Sequence, residues 1–146
     1  MLLQRHILLP WLASAVLMFG LSYIWHGVVL KDLIELKIPL SLYLVLAGLV
    51  YLLIGLALTW IVHKLLEKEW LSLKDGFPFR CLMVGSVMGF TVYLLVFVLG
   101  LSFADHGMVH VLADAIWQMT EQGLGGLAVS AGIIFDLHKK FLEEEG

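Results

Sequence analysis

Residues 108–136 read MVHVLADAIWQMTEQGLGGLAVSAGIIFD, an apolar run that carries polar groups where a membrane span ordinarily has none. His110, Asp114, Trp117 and Glu121 recur at helical spacing. At ~100° per residue they fall within roughly 60° of one another on a helix surface. His106, one turn earlier, extends the stripe, and Gln118 borders it. Glu121 stands thirteen residues beyond Met108, which is about 20 Å along a helix axis and close to the middle of a bilayer. An ionisable group at that depth costs on the order of 3 kcal/mol and normally faces a bundle interior or a wet cavity. The stretch therefore predicts a membrane helix with one polar seam turned away from lipid.

The rest of the chain supports a membrane setting. Of 146 residues, 61% are hydrophobic and only 14% charged, whereas soluble domains run near 45–50% apolar and about 25% charged. One core of this size could not hide so much apolar surface. The net charge is −3, and no basic patch is present for a nucleic-acid partner. The single cysteine, Cys81, excludes an intramolecular disulfide and a cysteine-based metal cage. No nucleophile elbow or phosphate-binding glycine loop occurs, so an enzymatic role is the less favoured expectation.

Working outward, three further uncharged runs precede this stretch. Residues 7–30 extend for about 36 Å as a helix, enough to cross a hydrocarbon core of ~30 Å with some tilt. Ala13-Ser14-Ala15 has the look of a signal-peptidase site, but the apolar run continues past it, so a retained helix is expected. Pro10 is placed in its first turn, where a missing N–H does little harm. Lys31–Lys37 is a short connection. The second run covers 38–62, with Pro39 near its start. That helix is expected to continue a turn or two and to stop at Asp75-Gly76. Trp60, Trp70, Phe77 and Phe79 suit an interfacial aromatic belt. The third run covers 81–104 and contains Gly85-Ser86-Val87-Met88-Gly89, a spacing that lets a second backbone approach closely. Asp105-His106-Gly107 is then a tight turn into the fourth span, 108–136. There Gly125 and Gly126 serve close helix packing, or alternatively mark a local break beside Glu121.

The expected architecture is all-α: one domain over 1–146, a polytopic membrane protein with four transmembrane helices in an antiparallel up-down bundle. Seven of the nine Lys and Arg residues fall on the side holding the N-terminus, the second connection and the C-terminus, against Lys31 and Lys37 on the other. This bias places both termini in the cytoplasm, and the chain in the inner membrane if its source is bacterial.

Three kinds of chemistry are open to the seam. His26, His106 and His110 gather at the non-cytoplasmic end, and with Asp114 they have residue types and spacing that suit a divalent metal. A facing pair, His26 and His110, suits one haem, and an apolar quinone beside Trp117 and Glu121 is a related option. Asp114 and Glu121 need a partner, protonation or water to offset burial. They serve either as a proton relay in a small carrier or channel, or as structural glue bonded to Gln118, Gln122 or another helix. The leading expectation is a non-enzymatic accessory or assembly subunit, or a ligand-binding module, within a larger membrane complex or a homo-oligomer.

Two segments, Ser22-Tyr23-Ile24-Trp25-His26-Gly27 and Glu121-Gln122-Gly123-Leu124-Gly125-Gly126, resemble those of small bacterial four-helix membrane proteins. In those, an aromatic, glycine-containing turn closes the first span and an acidic residue precedes a glycine-rich half of the last. The resemblance implies the architecture and carries no activity with it.

Overall fold

The computed structural model describes residues 5–98 and 107–145. Four long helices dominate: α1 (Arg5–Ile24), α2 (Leu40–Glu67), α3 (Phe77–Val98) and α4 (Met108–Glu145). A π-helical turn, Trp25–Val29, prolongs α1, and a 3-10 turn, Asp32–Glu35, leads toward α2. No strand occurs among the described residues.

The α1 segment with its π turn, α2 and α3 are each long and apolar enough to cross a membrane. They point to a multi-pass membrane protein. The fourth helix is longer, at 38 residues, but does not meet the same test of composition. The expectation of four apolar spans therefore holds for three helices. The reason lies in packing. α4 is the central helix, flanked by α1 and α3, and it buries Glu121, Gln122, Gly123, Gly125 and Gly126 within six positions. A helix enclosed on two sides needs small and polar groups for contact, and little of it is left to be greasy.

Contacts between helices are made by small residues. A Cβ on Gly85 would collide with the backbone carbonyl of Gln122, and one on Gly89 with that of Gln118. From the other side, a Cβ on Gly126 would collide with the carbonyl of Cys81. Thus α3 and α4 touch backbone to backbone. Gly125 receives Met18, and Gly132 receives Pro10, where a Cβ would lie 2.7 Å from the proline Cα. Pro10 is thus not in the first turn but inside α1 and fully buried, filling a notch that glycine provides. On α2, Gly55 faces Ser14 and Ala15, and Trp11 Nε1 donates to the carbonyl of Leu52 at 2.7 Å. α4 runs unbroken past Glu121, so no local break marks that position.

Three boundaries differ from expectation. α2 stops at Glu67, not at Asp75-Gly76. Its end is a Schellman closure: Glu69 N–H donates to the Leu66 carbonyl at 3.0 Å and Trp70 N–H to that of Leu65 at 3.0 Å. Glu69 adopts the required left-handed backbone, φ 59°, without the glycine that normally announces this motif. α3 begins at Phe77, four residues earlier than expected, and α4 continues past Asp136. Residues 99–104 of the third run lie outside the described residues.

Just after the Schellman turn, Leu71 folds inward. With Leu58, Val62, Phe77, Cys81, Val129 and Ile133 it forms a core that clamps α2, α3 and α4 together at this end. Phe77 is 2% exposed, so it belongs to that core and not to an aromatic belt. Trp60, Trp70 and Phe79 are exposed. At the opposite end a groove lies between α2 and α3.

Candidate functional site: a groove between α2 and α3

The polar stripe of α4 forms the floor where α2 and α3 separate. Glu121 is fully buried in protein. Its Oε2 accepts a hydrogen bond from Trp117 Nε1 at 3.1 Å, one turn back, as i and i+4 spacing allows. Its Oε1 accepts none among the described residues. Tyr51 of α2 reaches the same carboxyl, and Ser22 of α1 reaches Tyr51. Gln122 Nε2 donates to Gln118 Oε1 at 3.2 Å. Nearer the mouth, His110 Nε2 lies 3.9 Å from Asp114 Oδ2, and both side chains are partly exposed.

The π turn shapes the α1 side. Leu30 N–H bonds to the carbonyl of Trp25 at 2.8 Å, an i to i+5 closure of the kind found at functional sites. It presents Trp25 flat against Trp117, with ring centroids 4.3 Å apart and planes 8° from parallel. Glu121 bonds to the indole N–H of one member of that stack. His26, in the same turn, is held by Asp32: Nδ1 and Oδ2 are 2.8 Å apart. A carboxylate on one ring nitrogen fixes the ring and its tautomer.

Above this floor is a groove of about 410 Å³. Tyr43 and Tyr51 of α2 line one wall and Tyr93 of α3 the other; Asp114, Trp117 and Gln118 form the base. The Tyr93 hydroxyl donates to the Val111 carbonyl at 2.9 Å, tying that wall to α4. Ser22 and His26 of the α1 segment also line it, and the rest of the lining is aliphatic. Ligand pockets of this size typically combine an apolar lining with a few placed polar groups.

The structure brings Asp114, Trp117, Gln118 and Glu121 together with His26 and leaves His110 3.9 Å from Asp114. His106 lies outside the described residues. Among the described residues no group of three or more His, Cys, Asp or Glu side chains is placed to hold a metal ion. A haem ligand at His26 would have to leave Nδ1 to Asp32 and bind through Nε2. Gly85, Gly89, Gly125 and Gly126 serve helix contacts behind the groove. Sequence reasoning missed Trp25 and the three tyrosines. The tyrosines carried one weak signal, being polar-tipped groups inside uncharged runs. No family model, curated protein or solved structure matches this chain.

Proposed function

We propose that this chain is a four-span membrane module that holds a small, largely apolar molecule in the groove between α2 and α3. The groove itself carries the reading: a largely apolar slot with Trp117 and the Asp114 carboxylate at its base, opening between helices that face lipid. It favours a ligand-binding module over a purely structural accessory subunit, and a binding role over an enzymatic one. α4 counts as the fourth span because Glu121, Gln122 and Ser130 in its middle are buried in protein, which is how a low-hydropathy helix crosses hydrocarbon at tolerable cost. Both termini then lie in the cytoplasm, and in a bacterium the setting is the inner membrane.

The test is native mass spectrometry of the protein extracted gently from its membrane. An adduct of small-molecule mass is expected, and Ala47→Trp, which fills the groove from α2, should remove it. Identical adducts in both proteins would refute the reading. A second reading rests on Glu121 Oε1, which is buried and accepts no hydrogen bond among the described residues. A carboxyl in that state suits a proton-linked carrier. Proton flux into liposomes that survives Glu121→Gln would eliminate Glu121 as the proton site.

A further inference from the structure

The charge and lining of the groove narrow its ligand to one chemical class. Asp114 lies at the base with its side chain 20% exposed. Glu121 stands one layer behind it, bonded to Trp117. No Lys or Arg occurs in residues 7–30, 38–63, 81–98 or 107–138, so the helices around the groove offer these carboxylates no fixed positive charge. The groups closest to that role are imidazoles. His110 sits 3.9 Å from Asp114, at the limit of an ion pair, and His26 is engaged by a carboxylate of its own, Asp32. Four aromatic side chains, Tyr43, Tyr51, Tyr93 and Trp117, face the same space. Aromatic faces carry negative potential, and rings arranged around an acidic group are the usual surroundings of an organic ammonium ion. Aliphatic walls complete the match for the apolar part of such a molecule.

We propose that the groove binds lipophilic organic cations, with Asp114 as counter-ion and the tyrosines and Trp117 as an aromatic box. This rests on the groove being a ligand site. It adds that the site selects positive charge. A neutral molecule would leave the carboxylate with only the His110 imidazole, 3.9 Å away, in a partly desolvated pocket, and an anion would meet it as a like charge.

The experiment uses the purified full chain in lipid nanodiscs and three probes of similar shape: tetraphenylphosphonium, tetraphenylborate and neutral triphenylphosphine oxide. Binding is measured by equilibrium dialysis and by quenching of tryptophan fluorescence. Saturable binding of the phosphonium ion is expected, with the other two weaker by at least about tenfold. Asp114→Asn, shown to be folded by circular dichroism, should weaken the cation by a similar factor and leave the neutral probe unchanged. Equal binding of the neutral or anionic probe would overturn the charge assignment while leaving the groove reading in place. So would an unaltered cation affinity in folded Asp114→Asn. If none of the three saturates, or if Ala47→Trp affects none, the groove reading falls as well. The comparison of probes on the unaltered protein decides the matter even where the variant does not fold.

Discussion

Substituting Gly85 by alanine tests the contact on which the bundle depends. α3 meets α4 through Cys81, Gly85, Gly89 and Tyr93, all buried on one face. A methyl group at Gly85 would enter the space of the Gln122 carbonyl and come against the Gly123 Cα. Both are backbone atoms of an unbroken helix, so no side chain can rotate aside. The two helices must part by about 1 Å, and a gap of that size forfeits a quarter to a half of the dispersion energy of the facing atoms. Overpacking a close contact costs roughly 1–3 kcal/mol, and a rigid backbone neighbour puts this case at the upper end. About 3 kcal/mol corresponds to a hundredfold or so in the unfolding constant. Gly20 is the control: a Cβ there meets nothing within 4 Å. Gly20→Ala should be neutral or stabilising by up to about 1 kcal/mol. Unfolding from mixed micelles by rising SDS, followed by tryptophan fluorescence, measures both. If Gly85→Ala unfolds at the same SDS fraction as Gly20→Ala, the backbone-to-backbone contact is not what holds α3 to α4.

Three further outcomes are expected. The parallel stack of Trp25 and Trp117, at 4.3 Å, should give an exciton couplet in the circular dichroism spectrum that Trp25→Phe and Trp117→Phe each abolish; a couplet that survives either change would place the rings elsewhere. Glu121→Gln keeps an acceptor for the Trp117 N–H and should cost less than about 1 kcal/mol in the same SDS titration, whereas Glu121→Leu leaves that donor unpaired and should cost about 1–3 kcal/mol; equal stability of the two would show that the bond contributes nothing. Glu69 is exposed in a left-handed conformation at φ 59°, so Glu69→Gly should raise stability by about 1 kcal/mol by relieving the Cβ strain; a loss there would contradict the Schellman closure.

The parts of the molecule legible in the sequence are those governed by local pattern. Uncharged runs of membrane length become α1, α2 and α3, because an apolar helix is what such a run can form with every backbone group satisfied. Glu121 is buried because an ionisable group on an otherwise apolar stretch of helix turns into the bundle. Legibility failed where neighbours override local signals. Phe77 looked interfacial by its position beside charged residues, yet it packs into the core that Leu71 closes. The end of α2 was misplaced because Glu69 takes the left-handed backbone without the glycine that usually signals it. Pro10 seemed tolerable only in a first turn, and it is tolerated deeper because Gly132 on another helix makes room for it.

By itself the sequence determined that this is a helical chain with apolar segments of membrane length, three of which are borne out, and a last helix whose Glu121 turns inward. Periodicity fixes which residues share a face, and transfer energy fixes which faces avoid lipid. Only the tertiary structure decided that a groove exists, and that it lies between α2 and α3. Its histidine, its tyrosines, its tryptophan and its carboxylate come from four separate stretches of chain. They are neighbours because a core clamps one end of α2 and α3 and a groove is left between them at the other. No periodicity within a single segment encodes that separation.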